Sequence, residues 1–206
     1  MTDQELIIRA LIARTKAYAP YSGFAVGAAL LGEDGRVYTG CNIENAGFSS
    51  TVCAERTAFF KAVSRGTRRF LRIAVCGFSG REPEAVCTPC GVCRQVMAEF
   101  CDPDRFEIIC CGGKTYAGHC PSEALSSEII NLQDAVRLLK SGYATESGAQ
   151  RSGIQAAEQG RPHAIRAEND LLFPLDFENS LPEAVYAVKY TLRTLFPCGF
   201  TGKNLQ

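Results

Sequence analysis

The chain has 206 residues, 46% hydrophobic and 21% charged, enough apolar side chain for a core in one domain or a domain plus an elaboration, which excludes global disorder. Lys+Arg 22 against Asp+Glu 22 gives a formal net charge of zero, so the long-range field that draws proteins to nucleic acid or anionic membranes is missing and nucleic acid is disfavoured as a partner. The opening MTDQELIIRALIARTK puts acidic residues ahead of a short apolar run, the wrong order for a secretory signal, and no stretch approaches the ~20 apolar residues of a bilayer span. The expectation is a cytoplasmic protein with no membrane segment, in which eleven cysteines signify metal, catalysis or burial rather than a disulfide framework.

In chain order, Thr2 followed by Glu5 is a capping box, and Leu6, Ala10, Ala13 and Ala17 recur at helical spacing, predicting a helix over 3–18. FAVGAALLG and RVYTGCNIE are β-prone runs joined by Asp34-Gly35, a hairpin signal. From Cys53, CAERTAFFKAV reads as a helix ending near Gly66, followed by the buried strand RIAVCGF; CGVCRQVMAEF and FEIICCG repeat that order. Beyond Gly113, EIINLQDAVRLLK reads as an amphipathic helix and residues 143–169 as a polar surface loop. AVYAVKYTL at 184–192 is strand-like and leads into TLRTLFPCGF. Helices alternating with buried strands predict a mixed sheet covered on both faces.

The residues that carry chemistry are Cys53-Ala54-Glu55 and Pro89-Cys90-Gly91-Val92-Cys93, each at a predicted helix start. Cysteines three apart in a first turn share a face, and helix N-termini favour thiolates, so Cys90 and Cys93 can grip one metal with Cys53 as a third ligand. Three protein ligands leave the fourth tetrahedral position of Zn2+ open, as a catalytic site requires. Glu55 is placed to move a proton between water and a substrate nitrogen, and Arg56 to offset the negative charge of three thiolates. Cys87 precedes Cys90 by the same interval, so a closed structural site of Cys53, Cys87, Cys90 and Cys93 is the competing reading.

A cysteine followed by x-Glu and then Pro-Cys-x-x-Cys is the signature of the zinc-dependent cytosine-nucleoside deaminases. YAPYSGFAVGAALL, GCNIENA, CAERTAFFKAV, PCGVCRQV and LFPCGF, in that order, resemble the small homotetrameric cytidine deaminases of the cytidine/deoxycytidylate deaminase superfamily. The resemblance implies a three-layer α/β/α fold with a mixed sheet of about five strands, one zinc ion per subunit, and deamination of cytidine and deoxycytidine to their uridine counterparts, with ammonia released. It implies Glu55 as the proton shuttle, Cys53, Cys90 and Cys93 as ligands, and Arg56 behind the thiolates. Substrate contacts follow at Phe24 against the base, Asn42 and Glu44 at the ribose 3′-hydroxyl, Ile43 and Ala54 within the same motifs, and Phe200 reaching a neighbouring protomer's site.

The resemblance covers residues 1–114 and 184–206 as one deaminase-like domain, with 115–183 a long insertion of unknown role between the last two strands. Phe48 stands where relatives often carry Tyr, which bears on recognition of the nucleoside 5′-oxygen. Cys41, Cys76, Cys101, Cys110, Cys111, Cys120 and Cys198 read as small buried hydrophobes, and His119 and His163 as surface residues. Arg65, Arg68, Arg69 and Arg72 read as a solvated cluster. Two other functions stay open: deamination of a modified cytosine nucleoside, such as a blasticidin-type antibiotic, and a catalytically silent structural-zinc interaction protein.

Overall fold

The capping box forms as its spacing predicts: the Thr2 hydroxyl accepts from the Glu5 amide at 3.2 Å, and the Glu5 carboxylate accepts from the Thr2 amide at 2.6 Å. In a computed structural model that describes residues 1–80, 85–113, 126–133, 136–137, 182 and 184–195, the helix so begun, α1, spans Asp3–Arg14. It ends earlier than the expected 3–18. The Thr15 hydroxyl turns back onto the Ile12 carbonyl, the amides of Lys16 and Ala17 reach three residues back, and Tyr18 pairs with Ile43 in a β-bridge. Strand-type pairing wins over helical propagation once the helix's buried face is spent.

Then come β1 (Phe24–Gly32), β2 (Val37–Cys41), α2 (Ala54–Ser64), β3 (Phe70–Ser79), α3 (Gly91–Phe100), β4 (Glu107–Gly112), β5 (Ser126–Asn131), β6 (Ala184–Thr191) and the one-turn helix α4 (Leu192–Leu195). The sheet order is β2-β1-β3-β4-β6-β5. β3 and β4 are parallel, from Arg72↔Glu107 to Cys76↔Cys111, and all other neighbours are antiparallel. The sheet is therefore mixed, and it carries six strands where about five are expected.

The sixth strand is a difference in kind as well as number. Ser126–Asn131 opens the run read above as an amphipathic helix, yet it pairs with β6 from Ser126↔Lys189 to Asn131↔Ala184. Ile129 is 58% exposed and Ile130 2%, the alternation of an edge strand with one covered face. Two adjacent isoleucines suit either period, and the open edge of β6 decides between them. The described residues that follow, 132–133 and 136–137, are helical, so the expected helix starts after the strand rather than at Glu128. The polar loop expected at 143–169 lies outside the described residues, as do His119, His163, Cys120 and Cys198.

Strand alternation divides the core into two layers. Leu6, Ile7, Ala10 and Leu11 of α1 pack with Ala29, Leu31, Ala74, Cys76, Ile109 and Ala187 on one face. Ala54, Ala58 and Phe59 of α2 and Cys93 and Met97 of α3 pack with Ala28, Leu30, Ile73, Val75, Ile108 and Val188 on the other. Both faces are covered, giving the three α/β/α layers. Phe59 centres the second layer, edge-on to Phe70 at 4.9 Å and near Phe106 at 6.1 Å. Among the described residues no helix is long and apolar enough to cross a membrane.

Candidate active site and metal centre

Two helix starts build the site. Cys53 is the N-cap of α2 and Cys90 the N-cap of α3, both with extended backbone, and the Cys90 sulfur accepts from the Cys93 amide at 3.4 Å. Each helix precedes one strand of the parallel pair, so both N-termini arrive at the same end of the sheet, where their unpaired amides favour anionic sulfur. α2 lies directly on β2: a Cβ on Gly40 would come within 2.3 Å of the Ala54 carbonyl oxygen and 2.5 Å of the Ala58 nitrogen. That close approach, available only to glycine, fixes the depth of Cys53 and Glu55.

The thiol groups of Cys53, Cys90 and Cys93 lie within 4.8 Å of one another, with Sγ–Sγ separations of 3.8 Å for Cys53–Cys90 and 3.4 Å for Cys90–Cys93. Tetrahedral zinc with bonds of about 2.3 Å separates its sulfurs by roughly 3.8 Å, so the donor set fits the ion in chemistry and in span. Among the described residues this is the one group of three or more His, Cys, Asp or Glu side chains with such spacing, and Cys87 is not part of it. A closed site of four cysteines is therefore not what the chain builds. Hydrogen bonding with Cys93, then with Arg56 and Cys90, holds the Cys53 thiol down at about 5, and Cys93 is pushed up in exchange. Arg56 donates from Nη2 to the Thr51 carbonyl at 2.9 Å and to the Cys53 sulfur at 3.7 Å, which places its charge against the thiolates.

Glu55, in the first turn of α2, is 4% exposed. Burial pushes its carboxyl up to about 7, and the charge of Cys53 adds to the effect. A carboxyl that neither strongly holds nor strongly rejects a proton thus sits beside the thiol cluster. Such an arrangement can pass protons to and from a molecule bound at the metal.

The other expected contacts take varied positions. Asn42, 8% exposed, spends its amide on β1: Oδ1 accepts from the Val26 amide at 2.8 Å and Nδ2 donates to the Phe24 carbonyl at 2.9 Å. Glu44 accepts from the amides of Tyr21 and Ser22 and from the Ser22 hydroxyl, which holds its carboxyl below the usual range. Both residues therefore organise the segment leading to Phe24, which is 39% exposed. Ile43 is half exposed in a β-bridge with Val52, Ala54 is fully buried, Phe48 is 85% exposed, and Phe200 lies outside the described residues. Sequence reasoning missed Ser22, the partner of Glu44, and Arg94, whose Nε donates to the Pro89 carbonyl at 2.7 Å and whose Nη1 donates to the Leu195 carbonyl. Arg94 follows Cys93 directly, and a guanidinium next to a metal ligand is the signal that would have found it.

Known proteins match the same part of the chain. The profile of the cytidine and deoxycytidylate deaminase zinc-binding region matches residues 1–109. A cytidine deaminase of Sporosarcina psychrophila is 57% identical over 102 residues, 50% of this chain and 72% of that protein. One of Halalkalibacterium halodurans is 55% identical over 104 residues, 50% of this chain and 76% of that protein. The crystal structure of a cytidine deaminase from Burkholderia pseudomallei superposes with a TM-score of 0.50 at 50% identity, covering 53% of this chain and 84% of that one. With three thiols at zinc spacing beside a buried glutamate, and a profile that spans more than half of its length, the chain belongs to the zinc-binding cytidine and deoxycytidylate deaminase family.

Proposed function

We propose that the protein hydrolyses cytidine and deoxycytidine to uridine and deoxyuridine with release of ammonia, using one zinc ion per subunit. The observation that carries this reading is the Glu55 carboxyl, buried and held near neutrality beside the Cys53, Cys90 and Cys93 cluster. Zinc, when bound, supplies a Lewis acid at which water ionises near neutral pH. Cys53, Cys90 and Cys93 hold it, and Arg56 offsets their charge so that the ion keeps acidity that three thiolates would otherwise take away.

Glu55 carries the protons. It accepts one proton from the attacking water as the new bond forms at C4 of the ring and delivers it to the ring nitrogen beside that carbon, then takes the second from the new C4 hydroxyl and passes it to the amino group as its bond to C4 breaks. The balance closes with water's oxygen as the new carbonyl oxygen, one of its hydrogens on the ring nitrogen and the other on the released ammonia. Phe24 packs against the base, and Ile43 and Ala54 are further substrate contacts of the same motifs. Glu44, and Asn42 through its second Nδ2 hydrogen, recognise the sugar hydroxyl; a site that hydrogen-bonds a hydroxyl penalises ligands without it. Phe200 reaches the site of a neighbouring protomer in a homotetramer. The deaminase unit is built from 1–114 and 184–206, with β5 of the intervening stretch added at the sheet edge, works in the cytoplasm, and serves pyrimidine salvage.

Zinc-loaded protein should remove the ultraviolet band of cytidine and of deoxycytidine and release one ammonia per nucleoside. Protein with full zinc that leaves both nucleosides unchanged refutes the assignment.

A further inference from the structure

We infer that Gly77 and Cys87 together set the width of the slot that receives the pyrimidine ring, which makes Cys87 a specificity-determining residue. The inference rests on the proposed function, since it takes the space between Phe24 and the Cys53–Glu55 end of α2 as the place of the base.

β3 turns Ile73 and Val75 toward the α2–α3 layer, and the next position on that face is Gly77. Its backbone is ordinary strand, so glycine is not needed there for a left-handed turn. What is needed is the missing side chain. A Cβ at Gly77 would lie 2.7 Å from the Cys87 sulfur, 2.9 Å from Cε1 of Phe24 and 2.9 Å from Cγ2 of Val26. Three side chains from two separate segments thus close over one bare α-carbon, each nearer than an added methyl group would tolerate.

Both partners are held from outside. The Cys87 amide donates to the Cys111 carbonyl at 3.1 Å, so β4 fixes where the thiol stands. Phe24 is fixed through its carbonyl by Asn42 and through its amide by the Ser22 hydroxyl. The Cys87 thiol is outside the metal-ligand cluster, and burial keeps it protonated, its titration pushed up to about 12, with the Glu55 carboxyl adding to the effect. It is an uncharged group lying against Gly77 on the floor of the sheet, near enough to Glu55 to feel its charge. The base that packs against Phe24 therefore meets the Cys87 sulfur at one edge, and that sulfur limits what the ring can carry.

The test compares cytidine with 5-methylcytidine on zinc-loaded enzyme. Cys87→Ala, which removes one sulfur atom from the wall, should raise the ratio of kcat/KM for 5-methylcytidine over cytidine by about tenfold, the low end of what space for one methyl group decides. Cys87→Ser keeps the volume and should leave the ratio within twofold of wild type. Gly77→Ala drives its methyl group into Phe24 and Cys87 and should raise KM for cytidine more than it lowers kcat, and adding Cys87→Ala should recover part of that loss. If Gly77→Ala does not fold, the ratio in Cys87→Ala alone decides. An unchanged ratio in an active Cys87→Ala enzyme overturns this inference and leaves the proposed function standing. Wild-type enzyme with full zinc and no turnover of cytidine overturns both.

Discussion

Replacing Glu55 by Gln isolates the proton-transfer role from every other part of the site. The side chain is buried at 4% exposure in the first turn of α2, so an isosteric amide occupies the same volume and leaves Cys53, Cys90 and Cys93 where they are. Zinc content should stay at one per subunit, and the melting temperature should not fall by more than a degree or two. Turnover is another matter. One positioned general acid–base is worth roughly 10²–10⁴-fold, and each tenfold corresponds to about 1.4 kcal/mol of barrier. Glu55 is asked to act on the water, on the ring nitrogen and on the leaving amine, and no second buried carboxyl stands beside the thiol cluster among the described residues to take over any of the three. The loss in kcat should therefore reach at least the upper end of that range, about 10⁴-fold or 5 kcal/mol. The assay is loss of cytidine absorbance, with ammonia release and zinc analysis on the same preparation. A Gln variant with full zinc and a rate within tenfold of wild type would refute the assignment of Glu55 as proton carrier.

Cys53→Ala should lose zinc to a mild chelator while far-ultraviolet circular dichroism stays near wild type, because Cys53 is only partly buried and its side chain makes no capping bond that α2 would lose; retained zinc would remove Cys53 from the ligand set. Phe59→Ala, at the centre of the aromatic group on the α2–α3 side, should cost about 3–5 kcal/mol in denaturant unfolding, and a loss under 1 kcal/mol would mean that the layer repacks. Asp3 gives a pH signature: burial raises its carboxyl, but hydrogen bonds from Lys189 and Arg72 prevail and hold it below 3.8. A group lowered in the folded state stabilises above its unfolded value and loses that contribution as pH falls through the folded one. The gap in melting temperature between wild type and Asp3→Asn should thus be constant above pH 5 and narrow as pH falls below 3.8; a gap that does not narrow there would contradict the pairing.

Much of the site is legible in the sequence because its parts are local. Cys53 and Glu55 lie two apart, Cys90 and Cys93 three apart, and each pair starts a helix, so spacing alone predicts which side chains share a face. What spacing cannot convey is how the two helix starts meet, which depends on the parallel β3–β4 pairing, or that Cys87, at the same interval from Cys90, falls outside the cluster because its amide is tied to Cys111. Asn42 and Glu44 are recognisable as polar residues closing a strand, yet their bonds to Val26, Phe24 and Ser22 cross between segments and leave no trace in local pattern. The helix expected from Glu128 onward begins late, its first four residues being strand, for the same reason. Ile129 and Ile130 fit two periods, and a strand more than fifty residues downstream decides between them.

The placing of β6 between β4 and β5 also sets an order of events during synthesis. When β4 and β5 have left the ribosome, β4 is paired only on its β3 side and β5 not at all, since both pair with a strand that is made after them. The apolar edge formed by Ile108, Ile109, Cys110 and Cys111 stays open until Ala184–Thr191 emerges. An unpaired edge of that kind is a template for intermolecular pairing. A nascent chain stalled before residue 184 should be the species that recruits chaperones or aggregates, although it already contains every cysteine of the metal cluster.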